Sequence, residues 1–482
     1  MIIAALLVAM AAGPDSLDRY VVAEMARRHI PGLAIAIARD DSIIRTGYYG
    51  YADLERRTPV TRTTSFAIAL MSKAFTDAAI LLLADQGRLK LDDPVTRYLP
   101  PVPSVPSAWS RITLRQLMNH TAGLVDDWDH DWDEIPGYFL VNQSDSAFLA
   151  ALYGTPLVFP PGTRMEYGAG PFVLGVVVAR VSGQSYAAFL RQRIFESLGL
   201  TGTYVNDPYA VRPDRAAGYL WWKEAAAKPW PWLPAGSPGR GELTHGLRVS
   251  PAAEARGDVG VSSTAEDLIH WVRGLLDYRL LSHESTDAMF GTTRMPNGDI
   301  EDGGFGWFKD PDRTGSVLAH GGNFRTGYSS MMAYHPKSRI TVVVLSNLAD
   351  AVSDESLVEG VMAFIDPDHA PISKRPILAQ GPPELSRIAA AMRAVAAGRT
   401  DSTVMVDRFP QFYYGKAARA QQVADSLTSL GCDDARKLDA AVQGYPTTLT
   451  CYYRLNRAAP AYAWASIAAY GRVSYMGPPV LH

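Results

Sequence analysis

The sequence has little of what marks metal centres and disulfide frameworks. Its 482 residues include two cysteines, Cys432 and Cys451, and no Cys-x-x-Cys or His/Cys cluster that would predict zinc. Two cysteines do not fix the redox compartment, since they can pair in an exported protein and would stay reduced in the cytosol. We therefore expect neither a metal nor a cofactor, and the pairing of the cysteines stays open.

Runs of basic residues, and apolar runs of membrane-spanning length, are also missing. The net charge is −3 and the pI is about 6.4, and no Lys/Arg run forms a footprint for an anionic membrane. No segment reaches the apolar length of a transmembrane helix. The composition thus predicts no nucleic-acid partner and no transmembrane segment.

The first thirteen residues, MIIAALLVAMAAG, form a short apolar run that ends in an A-x-A-like pattern. This pattern is typical of a signal-peptide cleavage site, although the usual positive n-region is missing. We interpret residues 1–13 as a signal peptide and expect export to the periplasm or the cell exterior. A truncated start or a frayed helix is the alternative interpretation.

Short motifs spread over residues 20–350 carry a family resemblance. They are IPGLAIAI (30–37), YYGYADLERRTP (48–59), TSFAIALMSKAFTD (64–77), LDDPVTRYLP (91–100), LRQLMNHTAGL (114–124), PPGTRMEYGAGPFVL (160–174), GVSSTAEDL (260–268), GFGW (304–307) and HGGNFRTG (320–327). Together they resemble the serine β-lactamase and penicillin-binding-protein-like hydrolases, which include class C β-lactamases, D-peptidases and esterases. Family membership leaves activity as a separate question.

The first motif of that family, S-x-x-K at the start of a helix, is incomplete. Lys73 is present, but Leu70 stands where the resemblance implies a nucleophilic serine. Residues three apart on a helix share a face, so a hydroxyl at position 70 would meet the Lys73 amine. Ser72 is turned about 200° from position 70 on a helix, and Ser65 is off register, so neither serine is expected to substitute.

The other two family motifs differ in how well they are kept. Where the resemblance implies Tyr-x-Asn, the chain has Tyr167 and then Ala169, so the proton-transferring tyrosine is present and the substrate-binding amide is not. The third motif, a basic residue followed by x-Gly on a strand edge, is present as His320 and Gly322, with Asn323 next. We expect His320, Gly322 and Asn323, with position 169, to line the substrate site.

These losses predict a pocket that lacks its nucleophile and is partly filled by a side chain. Oxyanion-hole donors are backbone NH groups, here expected at position 70 and near Asn323, and they need no serine side chain. Leu70 is larger than serine and would occupy the volume that a scissile carbonyl approaches. Loss of a serine nucleophile costs about 10⁶ in turnover in a well-studied protease, so Lys73 and Tyr167 alone would not sustain acyl transfer.

The predicted fold is α/β, an antiparallel sheet flanked by helices with a helical subdomain, followed by a small α+β domain. Strands are predicted over 33–38, 42–49 and 340–347, and helices over 70–86, 172–181, 186–195 and 357–365. The resemblance implies the same β-lactamase/transpeptidase-like architecture. We divide the chain into a β-lactamase-like domain (14–368), a proline-containing linker (369–383) and an accessory domain (384–482) with helices over 384–397 and 418–430 and strands over 447–455 and 462–475.

Two loops suggest weaker hypotheses. The segment DDWDHDWDE (126–134) is acidic enough to attract a cation, but it lacks the glycine and ligand spacing of a calcium loop, so a solvated turn is favoured. Trp221, Trp222, Trp230 and Trp232 lie in a proline-rich insertion. They either form an aromatic wall or pack on the protein's own surface.

Two functional hypotheses follow from the sequence. The first is a pseudoenzyme of this family, in which the altered cleft binds a small molecule, a peptide or a protein partner without turnover. The second is an active serine hydrolase, an esterase, amidase, β-lactamase or D-amino-acid peptidase, that uses an unanticipated nucleophile. Covalent capture by a β-lactam or an activated ester distinguishes them.

Overall fold

The computed structural model describes two stretches of sequence. They comprise residues 15–100, 105–125, 142–207, 209–221, 243–296, 298, 300–301, 303–311, 316–352 and 356–366, and the strand residues 426–434, 441–442, 445–456, 461–468, 473–476 and 480–481. The predicted signal peptide (1–13), the linker (369–383), the acidic segment (126–134) and the helix predicted over 384–397 lie outside the described residues.

Helices form much of the first stretch. The α-helices there are α1 (Ser16–Arg28), α2 (Ser72–Asp85), α3 (Leu114–Met118), α4 (Asp145–Gly154), α5 (Gly170–Ser182), α6 (Tyr186–Leu190), α7 (Glu196–Leu198), α8 (Pro251–Glu254), α9 (Ala265–Leu276), α10 (His283–Met289) and α11 (Ser356–Ile365). Short 3₁₀ helices run over Ala69–Met71, Val95–Arg97 and Ser107–Arg111, and a π-helical turn over Arg191–Phe195 continues α6. Among the described residues, no single helix is long and apolar enough to cross a membrane, and only the bent pair 170–182 and 186–198 passes that test jointly.

Strands occur in both stretches. They are β1 (Gly32–Arg39), β2 (Ser42–Asp53), β3 (Thr58–Pro59), β4 (Phe66–Ala67), β5 (Tyr204–Val205), β6 (Tyr219–Trp221), β7 (Leu243–His245), β8 (Val261–Ser263), β9 (Thr293–Arg294), β10 (Ile300–Glu301), β11 (Phe308–Pro311), β12 (Ser316–Phe324), β13 (Tyr328–His335), β14 (Ile340–Ser346), β15 (Ser426–Asp434), β16 (Ala441–Val442), β17 (Tyr445–Asn456), β18 (Ala461–Ala468), β19 (Val473–Met476) and β20 (Val480–Leu481).

An antiparallel sheet of seven strands organises the first stretch. Its order is β11-β12-β13-β14-β1-β2-β3, with Ile35 opposite Val344 in the ladder between β1 and β14. Alternate residues of β1 join different cores: Leu33, Ile35 and Ile37 pack with α1 and α11, and the intervening alanines pack with the helices on the opposite face. A strand buried on both faces is apolar at nearly every position, as the sequence here is. This architecture confirms the predicted fold class.

The helix predicted over 70–86 begins two residues later than expected. Ala69–Met71 forms a 3₁₀ turn, and α2 runs over Ser72–Asp85. Apolar periodicity does not reveal this difference, because residues 69–71 would show nearly the same burial pattern in a 3₁₀ turn as in a first helical turn. Position 70 therefore lies on the turn before the helix, not on its first turn.

Helix α2 crosses the core between the sheet and the helical subdomain. Its residues from Ser72 to Leu83 are all buried, and the ring of Phe75 stacks on Trp271 of α9 with centroids 4.1 Å apart. A helix that is enclosed all round positions its polar side chains rigidly. Any polar group on it must find its partner inside the protein.

The C-terminal strands form a separate antiparallel sheet in the order β15-β17-β18-β19. The strand predicted over 447–455 is present as β17, and the range predicted over 462–475 contains parts of two strands, β18 and β19. The helix predicted over 418–430 is wrong from Ser426 onward, where β15 begins. Long-range pairing of β15 with β17 overrides the local helical pattern. In that ladder Cys432 is directly opposite Cys451.

Of the four tryptophans in the proline-rich insertion, Trp221 is described. Its ring stacks on His29, with centroids 3.7 Å apart and planes 9° from parallel. Trp221 thus packs on the protein's own surface, as one of the two interpretations requires. Trp222, Trp230 and Trp232 lie outside the described residues.

Candidate functional site

The turn before α2 carries local backbone strain. Ala69 has a φ of 51°, in the left-handed region that costs a non-glycine residue about 1–2 kcal/mol. Strand β12 approaches the turn so closely that a Cβ on Gly322 would stand 2.2 Å from the Ile68 carbonyl oxygen. Ser330 on β13 donates to the same oxygen at 2.8 Å. Neighbouring strands therefore hold the strained turn, an arrangement that is common at functional sites.

Leu70 lies on this turn and is half-buried. It packs against a small apolar cluster of Ala69, Val259 and Phe324. Removal of such a side chain from water contributes about 25 cal/mol for each Å² buried, so the turn gains packing energy from the leucine. The environment of position 70 is apolar on the side that this cluster forms.

The two serines near Leu70 have structural roles. Ser72 is fully buried, donates to the Ala69 carbonyl at 2.7 Å and accepts from the Val261 NH at 3.0 Å. Ser65 is also buried and hydrogen-bonds the Tyr204 hydroxyl at 2.9 Å. These contacts brace the turn against β8 and β5, and neither hydroxyl contacts Lys73.

Lys73 is fully buried, and its ammonium is held by two acceptors. Nζ donates to Asp77 Oδ2, one helical turn further along α2, and to the Met118 carbonyl at 2.5 Å. Burial lowers the pKa of Lys73, and the Asp77 charge opposes that shift. Burial likewise raises the pKa of Asp77 to about 6, against the attraction of Lys73. Each partner therefore favours the charged form of the other, and the Lys73 amine is engaged by Asp77 and Met118.

His120 faces the same buried charge. It lies in the segment after α3 with a φ of 58°, is 4% exposed, and stacks on Tyr167 with ring centroids 4.0 Å apart. Burial first, then the charges of Lys73 and His320, put the pKa of His120 well below its ordinary value. Neither ring nitrogen has a hydrogen-bond partner among the described residues. His120 is thus a neutral donor and acceptor with both functions unused.

His320 supplies a second neutral imidazole from β12. It is 3% exposed, and burial together with the Lys73 charge lowers its pKa to about 3. Its Nδ1 donates to the Gly321 carbonyl at 2.7 Å, which leaves Nε2 as an acceptor. In the described part of the chain Nε2 is buried without a partner. The pocket therefore holds a lone pair that no described donor satisfies.

The remaining predicted site residues are used in other ways. Asn323 donates through Nδ2 to Asp350 Oδ1, and the Asp350 NH donates back to Asn323 Oδ1 at 2.8 Å. This reciprocal pair fixes the turn after β14. Ala169 is 1% exposed at the start of α5, where its NH donates to the Val125 carbonyl at 3.0 Å. Asn323 and Ala169 thus anchor backbone, while Lys73, Tyr167 and His320 meet around His120.

Sequence reasoning missed two residues of this cluster, Asp77 and His120. Asp77 lies four residues after Lys73 on the same helix, and the i,i+4 rule for opposite charges could have found it. His120 lies in the HTAGL segment, which carried part of the resemblance but no functional assignment. Its contact with Tyr167 crosses 47 positions of sequence and leaves no local signal.

The cluster presents hydrogen-bonding nitrogens beside the contact between Lys73 and Asp77. It offers one acceptor on His320, and one donor and one acceptor on His120. No group of three or more His, Cys, Asp or Glu side chains in the described residues has an arrangement that could hold a metal ion. A polar, uncharged group that both donates and accepts hydrogen bonds would match these nitrogens.

Comparison with known proteins defines the class. The family model described as Beta-lactamase matches residues 17–363, so this chain belongs to the β-lactamase family of serine β-lactamase and penicillin-binding-protein-like hydrolases. Penicillin-binding protein 4* of Bacillus subtilis (strain 168) is 29% identical over 343 residues, 69% of this chain and 72% of that protein. Protein flp of Staphylococcus aureus (strain N315) is 27% identical over 340 residues, 69% of this chain and 63% of its own length. The match thus spans less than two thirds of protein flp.

Solved structures support the fold. A penicillin-binding protein from Bacillus halodurans aligns with a TM-score of 0.57 and 24% identity over 73% of this chain and 99% of its own. An octameric penicillin-binding protein homologue from Pyrococcus abyssi aligns with a TM-score of 0.58 and 22% identity, over 96% of this chain and 95% of its own. FmtA from Staphylococcus aureus aligns with a TM-score of 0.58 and 21% identity, over 78% of this chain and 93% of its own. At these identities the likeness concerns the fold alone.

Proposed function

We propose that this chain is a pseudoenzyme of the β-lactamase family, whose cleft binds a ligand without forming an acyl-enzyme. The observation that carries the proposal is that, in the described part of the chain, neither serine near position 70 places its hydroxyl on Lys73. Leu70 occupies the turn, Ser72 and Ser65 are bound to other groups, and the Lys73 ammonium is held by Asp77 and Met118. Nucleophilic catalysis by serine requires a base within hydrogen-bond reach of the hydroxyl.

The imidazoles support the binding half of this proposal. Each buried polar atom that lacks a hydrogen bond costs about 1–3 kcal/mol, and His120 and His320 together contribute three such nitrogens among the described residues. A bound small molecule or peptide that satisfies them would recover part of this cost. A protein partner that inserts a peptide group into the cleft would do the same.

Covalent capture tests the proposal. The native chain and a Leu70→Ser variant are incubated with a reactive β-lactam and with an activated ester, and intact-protein mass is measured over time. We expect no adduct on the native chain and a slow, detectable adduct on the variant. An adduct on the native chain would overturn the proposal, and peptide mapping would then name the nucleophile of an active hydrolase.

Binding is measured separately on the native chain. We expect titration calorimetry with the dipeptide D-alanyl-D-alanine to detect reversible binding that a His320→Ala variant weakens, since Nε2 of that residue is the unsatisfied acceptor. The exposed His270 provides a matched control, because a His270→Ala variant should bind as the native chain does. Binding that is equal in all three proteins would assign the ligand to another surface.

The proposal extends to location and organisation. We propose export to the periplasm or cell exterior on the basis of residues 1–13, and a division into the domain 14–368 and the accessory domain 384–482. Family membership over residues 17–363 is compatible with that boundary. Mass spectrometry of the mature N-terminus from a native host fraction would test the cleavage.

A further inference from the structure

We propose that Asp77 is a positioning residue that holds Lys73 as an engaged ammonium, so that the pocket is kept non-nucleophilic independently of Leu70. The inference rests on the proposed non-hydrolytic function and adds a second cause to it. It predicts that a serine at position 70 alone restores only a small part of the acylating ability that this fold can support.

Helix geometry is the first step of the argument. Asp77 lies four residues after Lys73 on α2, about 6 Å further along the helix axis, and Leu70 lies on the 3₁₀ turn before Lys73. Side chains on a helix lean towards its N-terminus, so the Asp77 carboxylate leans back over the turn that carries Lys73. A lysine that reaches this carboxylate and the Met118 carbonyl directs its ammonium to partners other than position 70.

Charge is the second step. A lysine acts as a base only when it is neutral, and among the described residues Asp77 is the carboxylate that contacts Lys73. The other titratable groups facing the pair come from different elements: His120 after α3, His320 on β12, and Tyr186 on α6, which faces Asp77. Both imidazoles are neutral at pH 7. Asp77 therefore supplies the charge that favours the protonated amine, against the effect of burial.

The burial of the pair is the third step. Lys73 is 1% exposed and Asp77 is fully buried, so solvent does not screen their attraction. A buried ion pair is seldom more stabilising than apolar side chains of the same volume. Its presence beneath the turn at position 70 is thus better explained by its effect on the lysine than by its contribution to stability.

The test compares acylation rates in the Leu70→Ser background. There the serine Oγ bonds to the carbonyl carbon of a β-lactam as the lactam C–N bond breaks. The Oγ proton passes to the neutral Lys73 amine and then to the lactam nitrogen. The rate of adduct formation is measured by intact mass between pH 5 and 10 for Leu70→Ser, with and without Asp77→Asn.

We expect the Asp77→Asn variant in this background to acylate at least about tenfold faster at pH 7, within the roughly 10²–10⁴ that a positioned base contributes. The ascending limb of its pH profile, where Lys73 loses its proton, should move to lower pH, because loss of the carboxylate charge lowers the pKa of Lys73. If the asparagine variant fails to fold, the pH profile of Leu70→Ser alone is the second measurement: its rate should rise with pH as Lys73 loses its proton, and a rate that does not change between pH 5 and 10 would overturn the inference.

Matched controls separate charge from structure. Asp85 lies on the same helix, is exposed, and accepts from Ser282 and Ser285, so Asp85→Asn should change neither rate nor pH profile. Asp77→Glu, which keeps the charge, should stay as slow as Leu70→Ser alone. Equal rates and superimposable profiles with and without Asp77→Asn would overturn the inference. An adduct on the native chain would instead overturn the proposed function.

Discussion

The buried cluster around Lys73 and His120 has two walls that satisfy their polar groups to different degrees. The helix wall, formed by Leu70, Lys73 and Asp77, is apolar at the turn and ion-paired below it. The loop-and-strand wall, formed by His120, Tyr167 and His320, contains three buried imidazole nitrogens without partners among the described residues. Because an enclosed polar atom costs free energy until it is satisfied, the loop-and-strand wall is the one whose polar atoms still lack partners among the described residues.

The largest expected effect comes from breaking the helix wall. Asp77→Ala leaves the buried Lys73 charge without its counterion, and such changes cost about 3–5 kcal/mol. Urea unfolding followed by circular dichroism measures the loss. The double variant Lys73→Met with Asp77→Leu should recover most of it, since well-packed apolar residues replace a buried pair at little cost.

An exposed ion pair provides the control for that experiment. Arg115 Nε and Asp92 Oδ1 are 2.7 Å apart, and the two side chains are 43% and 71% exposed. Arg115→Ala should cost about 0–1 kcal/mol. If Asp77→Ala costs no more than this, the helix wall is not closed by a buried charge pair.

Acid should weaken the loop-and-strand wall. The pKa of His320 is about 3 in the folded protein, below the ordinary value near 6.5, so the unfolded chain binds more protons between these values. Stability should therefore fall as the pH drops from about 6.5 towards 3, and His120 acts in the same direction. Asp77, with its raised pKa of about 6, acts oppositely between that pH and about 4.

The contribution of His320 is isolated by substitution. His320→Asn keeps a side-chain donor and removes the titrating ring, so the free energy of unfolding should depend less on pH over that range. Chemical denaturation at several pH values measures the slope. A slope equal to that of the native chain would show that the imidazole is not buried as described.

A smaller effect is expected from Asn323, beside the loop-and-strand wall. Asn323→Ala removes the reciprocal hydrogen bonds to Asp350 and should cost about 1–2 kcal/mol. Thermal unfolding measures this cost. Binding of the dipeptide should persist, because the amide holds a turn of the backbone. Loss of dipeptide binding without a change in stability would show that the Asn323 amide contacts the ligand, as the sequence predicted.

The smallest effect is expected at the strained turn of the helix wall. Ala69→Gly removes the strain of a φ of 51°, which offsets the loss of a buried methyl group, so stability should change by less than about 0.5 kcal/mol. Ala78→Gly, in the regular part of α2, should cost about 1 kcal/mol or more. Equal costs at the two positions, measured by urea unfolding, would contradict the strain.

Sequence patterns predicted the elements that frame the site better than the contacts within it. The apolar runs at β1 and β14 and the helical period of α5 depend on neighbours in sequence, so their positions were predictable. The 3₁₀ turn at Ala69–Met71 and β15 at Ser426–Asp434 were not, because packing against other strands decides both. Lys73, Tyr167 and His320 were predicted as site residues, but the partner of Lys73 was not.

The family, the antiparallel sheet and the leucine three positions before Lys73 could be recognised without a structure, because motifs and periodicity depend on residues that are close in sequence. The tertiary structure decided that Lys73 is held by Asp77 and Met118, that His120 stacks on Tyr167, and that Asn323 binds Asp350. These contacts depend on distances between segments that only packing brings together. The sequence motifs therefore give the residue types at the site, and the fold gives the contacts that these residues make.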